Sequence, residues 1–383
     1  MASTRAGRYL PQPGGFRAFV PALYPPGDLR LDAELLQLLS RADMELGKLV
    51  GATEILPDPD LFVLMYVRRE AVLSSQIEGT QASLMDILEW EATRDQGERR
   101  VDIREVSNYI GALRYGLKRV RSLPLSLRLI REIHGRLMKG VRGGEATKTP
   151  GEFRRSQNWV GGPSPATARY VPPPVPEMHQ ALDQFEHSLH ARSDYPLLVH
   201  IGLTHAQFET IHPFLDGNGR IGRLLVTFLL CEHGILREPL LYLSIFFKEH
   251  REAYYERLQA VRDHGDWEGW LAFFLEGVAT VSREATETAR KIVRLREDWR
   301  TTLSGIGRRG PNALRLLDLL FQDPAVTAKS TQELLDISQP AASALVNTLA
   351  EAGVLKETTG RRKNRVFVFE SYLRLFRERA RRE

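Results

Sequence analysis

A single cysteine, Cys231, stands among the 383 residues. No intramolecular disulfide can form, so the chain fits a reducing compartment and a cytoplasmic location is expected. No stretch approaches the ~18–20 uninterrupted apolar residues of a membrane span, so no membrane partner is expected. Residues 1–8 lack the apolar core of a signal peptide. Internal repeats and low-complexity tracts are absent. A large charge of one sign is absent too: 53 Lys+Arg face 48 Asp+Glu, a net +5. That small surplus is local. Residues 361–383 hold nine Lys/Arg and three Asp/Glu, and the rest of the chain holds 44 basic and 45 acidic side chains. The pI near 9.3 therefore belongs to one C-terminal segment and does not by itself mark a nucleic-acid binder. Apolar residues are not scarce: a 43% hydrophobic share excludes disorder as the main state.

What is present is mostly helical periodicity. Apolar residues recur at helical spacing over 31–50. Asp58-Pro59 suits a helix start, with Asp as cap and Pro in the first turn. That helix runs from 60 to about 78, and Gly79 stops it. Further helices are expected over 83–90, 101–119, 125–139, 175–192, 197–209, 221–231, 249–264 and 267–300. Residues 1–27 show no helical period and read as an arm. Residues 140–176 are rich in Gly and Pro, and loops this long tend to be functional.

The segment 306–383 reads as a separate unit. Ser330-Thr331-Gln332-Glu333 fits a capping box. A turn follows, then a helix over 341–352. A polar turn over 358–364 and the alternating Arg365-Val366-Phe367-Val368-Phe369 suggest a hairpin. Together these describe a winged helix-turn-helix.

The chemistry-bearing segment is Ile211-His212-Pro213-Phe214-Leu215-Asp216-Gly217-Asn218-Gly219-Arg220-Ile221-Gly222-Arg223. Gly217 and Gly219 allow unusual dihedrals and close ligand approach. They precede an apolar helical run, and a Gly-containing loop opening a helix presents free N–H groups to an anion such as phosphate. Arg220 and Arg223, three apart, share one helix side and add bidentate donors. Asp216 supplies a hard carboxylate suited to Mg²⁺ beside a polyphosphate. His212 is the nearby side chain whose ordinary pKa suits a general base near neutrality. The parts add up to a nucleotide site with a base at its edge.

These residues match the motif His-x-Phe-x-Asp/Glu-Gly-Asn-Gly-Arg-x-x-Arg, and the chain resembles the Fic (filamentation induced by cyclic AMP) family over roughly 24–277. The resemblance implies a mainly α fold: a helical core with a β-hairpin flap, joined here to the C-terminal winged helix-turn-helix. It implies transfer of AMP from ATP to a Ser, Thr or Tyr hydroxyl of a protein, itself included. His212 would be the base and Asp216 the Mg²⁺ ligand. Gly217, Asn218, Gly219, Arg220 and Arg223 would bind the nucleotide. A phosphorylating branch of the family has Lys in place of Gly219, so Gly-Asn-Gly-Arg favours adenylylation. The segment 151–173 resembles the family's flap, with Trp159, Val160 and Gly161 on one arm and Tyr170 and Val171 on the other. Such an edge can pair with an extended target segment. Near Tyr254-Tyr255, His250 occupies the place where the family often has a nucleotide-contacting Asn. A homodimer is compatible with the resemblance. The expected division is an N-terminal helical region over 1–105, a core over 106–277, a connecting helix over 278–305 and the winged unit over 306–383.

Ser74-Ser75-Gln76-Ile77-Glu78-Gly79 carries a second feature. A carboxylate in the last turn of a helix faces the negative dipole end, at a cost of roughly 0.3–1 kcal/mol. Ser74 lies one turn earlier on the same face. The segment resembles the family's inhibitory motif, Ser/Thr-x-x-x-Glu-Gly/Asn, at Ser74, Glu78 and Gly79. That resemblance implies that Glu78 pairs with Arg223 and holds it away from ATP.

Other candidates are weaker. His200, His205 and His212 lack the i, i+4 spacing of a helical metal pair. Cys231 reads as a small core residue. The competing function is a DNA-binding transcriptional regulator with a nucleotide-sensing core. It draws on Arg361, Arg362, Lys363 and Arg365 at the wing tip, which suit phosphate contacts. The helix that would read bases has no Lys or Arg.

Overall fold

The apolar stripe near the N-terminus forms helix α1, Ala33–Glu54. Asp32 accepts a hydrogen bond from the Leu35 N–H at 2.9 Å and caps its start. Leu35, Leu39, Ala42, Leu46 and Leu49 are buried, at the spacing of one helix face. They lie along the 38-residue helix α11, Trp267–Ser304. Arg41 and Glu276 form an ion pair across the contact. The structure, a computed structural model, describes residues 5–54, 60–93, 100–141, 149–360 and 364–376. The boundary expected at 277 falls inside α11, which runs through it unbroken. Gly277 is a packing glycine: a Cβ there would lie 2.8 Å from the Phe246 ring.

Between these helices sit α2 (Asp60–Ile77), α3 (Leu84–Thr93), α4 (Arg100–Val120), α5 (Leu127–Leu137), α6 (Val175–His190), α7 (Leu197–Ile211), α8 (Asn218–Glu232), α9 (Ser244–Glu249) and α10 (Arg251–His264). Helix α7 is buried all round over 198–211, the pattern of a central core helix. Its polar residues need partners. His205 Nδ1–H donates to the Gly222 carbonyl at 2.9 Å, and Nε2 accepts from the Tyr254 hydroxyl at 2.9 Å. His205 thereby ties α7 to α8 and α10. Among the described residues, no group of three or more His, Cys, Asp or Glu could hold a metal ion, and no helix is long and apolar enough to cross a membrane.

The N-terminal arm is a hairpin, β1 (Gly7–Pro11) with β2 (Arg17–Pro21). The Phe19 N–H donates to the Val171 carbonyl at 2.9 Å, docking the hairpin on the Gly/Pro-rich segment.

The C-terminal unit contains α12 (Gly310–Gln322), β3 (Ala325–Val326), α13 (Ala328–Leu335), α14 (Gln339–Glu351), β4 (Lys356–Glu357), β5 (Phe367–Val368) and α15 (Glu370–Arg374). The strands pair antiparallel in the order β3-β5-β4. Helix α13 starts earlier than expected: Thr327 is its N-cap, and Ser330 completes the capping box from inside the helix. Thr327 and Ser330 have the same three-residue spacing as Ser330 and Glu333, and the extended Thr327 leaving β3 takes the cap. Arg361, Arg362 and Lys363 lie outside the described residues.

Arg68 of α2 ties this unit to the body. It donates to the Gln322 carbonyl at 2.7 Å and pairs with Asp323 at 2.6 Å and Glu91 at 2.7 Å. Helix α2 therefore touches the C-terminal unit through Arg68 at its middle and α8 through Ser74 near its C-terminal end.

Candidate active site

His212 follows α7 in the left-handed conformation, φ 49° and ψ 60°, which is uncommon outside glycine. The chain turns back and re-enters a helix at Gly217, φ 79°, the N-cap of α8. Asn218 fixes this turn from inside. Its Oδ1 accepts from the Phe214 N–H at 2.8 Å, and its Nδ2 donates to the Phe214 carbonyl at 2.7 Å. Asp216 Oδ1 accepts from the Gly217 N–H at 2.6 Å and lies 3.7 Å from Arg220.

Glu78 stands one residue beyond α2, not in its last turn as expected, because Gly79 (φ 100°) turns the chain. Its carboxylate, about a third exposed, pairs with Arg223 at 2.7 Å. Arg223 also donates to the Ser74 hydroxyl at 2.8 Å and the Ser74 carbonyl at 2.9 Å. Burial pushes the Glu78 carboxyl up, but the Arg223 charge and hydrogen bond outweigh it, so it sits below the usual carboxylate value. Gly219 makes room for the pair. A Cβ there would lie 2.3 Å from Glu78 Oε1 and 3.0 Å from Arg223 Nη1. The carboxylate therefore rests on the first turn of α8, where the helix dipole favours an anion.

Residues 124–230 match the Fic/DOC family, and residues 36–118 match the Fic/DOC family N-terminal region. Residues 124–230 thus form a Fic/DOC domain. Protein adenylyltransferase Fic of Aedes aegypti is 34% identical over 154 residues, 40% of this chain and 27% of that protein. Its counterpart in Drosophila grimshawi is 33% identical over 159 residues, 41% of this chain and 29% of that protein. The chain thus spans under a third of the length of these relatives. A Fic family protein from Desulfovibrio desulfuricans shares the fold with a TM-score of 0.58 at 19% identity, over 89% of this chain and 97% of that one. A Fic domain containing signaling protein from Bacteroides thetaiotaomicron has a TM-score of 0.52 at 19% identity, over 68% and 97%.

In this Fic/DOC site the His212 imidazole is neutral: burial, with the Arg262 and Arg154 charges, pulls its pKa down to about 3. Sequence reasoning missed the groups that hold the loop. Buried Arg154 donates to the His212 carbonyl at 3.1 Å and to the carbonyls of Ser156 and Pro173. Asn158 donates to the His212 and Phe214 carbonyls at 3.2 and 2.7 Å. His134 stacks on Phe214 with ring centroids 3.7 Å apart. The Gly151 N–H donates to His134 Nδ1 at 2.8 Å, so the proton sits on Nε2 and donates to the Asp216 carbonyl at 3.0 Å. Arg154 and Asn158 lie in the segment already singled out as a flap, where their polarity was a usable signal. His134 lies in an ordinary amphipathic helix and carries none.

The two expected arms of the flap do meet antiparallel, but over a shorter ladder than a regular hairpin. Val160 and Tyr170 form one isolated bridge, with N–H···O distances of 2.8 and 3.1 Å. Gly161 and Gly162 turn the chain beside it, and Pro172-Pro173-Pro174 have no N–H to extend the ladder. Tyr170 and Val171 do not face outward. Both are buried, the Tyr170 hydroxyl donates to the Thr210 carbonyl, and the Val171 carbonyl is taken by Phe19. Trp159 is exposed, with its indole N–H on the Gly162 carbonyl at 3.0 Å. His250 caps α9, bonds the Phe246 carbonyl at 3.0 Å and packs on the Phe246 ring. Its described side-chain contacts are with α9 and α11, not with the motif loop.

Glu209 was also missed. It is 7% exposed, and its Oε1 has no hydrogen-bond partner. Oε2 lies 3.9 Å from His212 Nδ1. Burial raises its pKa from 4.5 to about 7, against the pull of Arg223. A carboxyl that holds its proton more tightly when folded costs stability as pH rises from the unfolded to the folded value, here ~3 kcal/mol. Glu209→Gln is therefore expected to raise the melting temperature at pH 8 and change it little at pH 5. Equal shifts at both pH values would show that the Glu209 proton is not the cause.

Proposed function

We propose that this chain transfers AMP from ATP to a Ser, Thr or Tyr hydroxyl of a protein, itself included, and that Glu78 restrains the reaction. The observation that carries this reading is one Asn218-locked turn that brings His212 beside the opening of α8, with Glu78 seated on that opening. The name of the relatives, protein adenylyltransferase, supports the reaction type. The target oxygen bonds to the α-phosphorus, and the bond from that phosphorus to the pyrophosphate oxygen breaks. His212 takes the hydroxyl proton. Negative phosphate charge beside the ring counters Arg154 and Arg262 and raises His212 toward a working value. Backbone N–H groups of the first α8 turn, with Arg220 and Arg223, bind the phosphates.

Mg²⁺ suits the donor set. It binds through one or two carboxylates plus substrate phosphates and water, not a full protein cage. Asp216, 39% exposed at the loop edge, would hold it. When bound, the ion neutralises polyphosphate charge.

Mass spectrometry of Glu78→Gly incubated with ATP and Mg²⁺ tests the reaction. An added mass equal to AMP on the chain or a target is expected. A phosphate-sized addition would replace this reading with kinase-type transfer.

The C-terminal unit fits a winged helix. The exposed residues of α14 include Gln339, Asn347 and Glu351, with no Lys or Arg on the helix. We place it as a protein-contact module, and the reading includes a homodimer, checked by sedimentation. In a titration with duplex DNA, no binding at low salt is expected. Binding that falls steeply with salt would restore a DNA role.

A further inference from the structure

We propose that a cavity behind α2 binds a small organic amine through Glu70 and Tyr242. Its volume is about 630 Å³, within the ~300–1,000 Å³ range of small-molecule sites. It lies between α2, α9, α11 and the α15 segment, and none of its lining residues belongs to the motif loop. Tyr66, Leu73, Ile245, Val281 and Phe376 give it an apolar wall.

Two of the lining residues, Glu70 and Tyr242, each carry a polar atom left over. Glu70 is 3% exposed and Tyr242 is 5% exposed. Glu70 Oε1 accepts from the Tyr109 hydroxyl at 2.9 Å and from the Ser244 hydroxyl. Glu70 Oε2 and the Tyr242 hydroxyl are buried without a hydrogen-bond partner. Among the described residues lining the cavity, these are the buried side-chain atoms left unpaired. Such atoms are costly, and folded proteins rarely keep them without a reason. An occupant that satisfies the carboxylate must bring an N–H or O–H. Charge then chooses between donors. The lining carries Glu70, Glu284 and Glu287 against Arg69 and Lys291, an excess of one negative charge. Burial raises the Glu70 carboxyl above its usual value, and Arg223, engaged with Glu78 and Ser74, offsets this only in part; an ammonium beside the carboxyl favours its charged form. A protonated amine with an apolar arm meets both the charge and the wall.

The cavity is wired to the brake. Glu70 and Ser74 are four apart on α2, so they share a face. The Tyr109 hydroxyl bonds Glu70 and also reaches Ser74, which holds Arg223. A ligand on Glu70 therefore acts on the contacts that retain Arg223. This coupling rests on the brake reading above, whereas binding does not.

Benzylamine, benzyl alcohol and benzoate have similar size and different head groups. Titrated into the full chain and followed by ligand-observed NMR, benzylamine is expected to bind most tightly and benzoate not at all. Glu70→Gln is expected to weaken benzylamine by about tenfold or more, and Tyr242→Phe to weaken it less, with both variants folded by circular dichroism. Absence of benzylamine binding, benzoate binding as tight as benzylamine, or unchanged affinity in both variants overturns the site. A different benzylamine affinity in Glu78→Gly than in wild type supports the coupling by reciprocity. Equal affinity overturns the coupling and leaves the site standing.

Discussion

His212→Ala is expected to lower AMP transfer by about 10²–10⁴-fold, the usual contribution of a positioned general base, and to leave ATP binding in place. On the proposed reading the phosphate contacts would come from the opening of α8 and the two arginines, none of which depends on the imidazole. The measurement belongs in a Glu78→Gly background, so that the brake does not hide the chemical step. Labelled AMP incorporation reads transfer, and calorimetry reads ATP affinity. One structural objection has a direct control. Residue 212 is left-handed at φ 49°, where alanine is strained by roughly 1–2 kcal/mol. Asn tolerates that region better, so His212→Asn removes the base with less backbone strain. Both variants are expected to lose transfer together. Retained transfer in either would remove His212 from the base role. The pH profile adds a second check. With His212 near 3 in the free chain, kcat/KM should not fall through pH 6.5 as it would for an unperturbed imidazole.

Local chemistry and long-range packing were unequally legible. The loop 212–223 could be read directly because its glycines, asparagine and arginines act within a dozen residues of one another. The Ser74, Glu78 and Arg223 cluster was accessible only because a motif resemblance linked positions about 150 residues apart in sequence, 145 in the case of the Glu78–Arg223 bond. His134, Arg154 and Asn158 support the loop through backbone carbonyls, and such contacts leave no spacing to read. Helices α1 and α11 were visible from their stripes, but that they lie against each other was not. The flap was misread in detail because Phe19, far away in the chain, closes the edge at Val171. Glu209 escaped for a related reason. A carboxylate on an apolar helix looks like a solvated residue until α8 and His212 are packed against it.

Glu78→Gly is expected to speed AMP transfer by about 10–100-fold, because a charge-assisted hydrogen bond contributes about 1.5–3 kcal/mol and its loss frees Arg223 for phosphate. The change also clears the first turn of α8, where the Glu78 carboxylate now sits. Ser74→Ala should activate less. It removes the hydroxyl contact at 2.8 Å but leaves the Ser74 carbonyl at 2.9 Å and Glu78 itself on the arginine. Gly219→Ala separates the two parts of the brake. Its Cβ would lie 2.3 Å from Glu78 Oε1 and must displace the carboxylate, yet the same methyl group fills the phosphate seat. Arg223 would be released without a gain in transfer, and ATP affinity would fall. Initial rates of labelled AMP incorporation for the three variants, with ATP affinity measured alongside, give the ordering Glu78→Gly above Ser74→Ala above wild type, with Gly219→Ala at or below wild type. A Glu78→Gly rate equal to or below wild type would mean that Arg223 is not the restrained group, and the ion pair would then be a structural tie between α2 and α8.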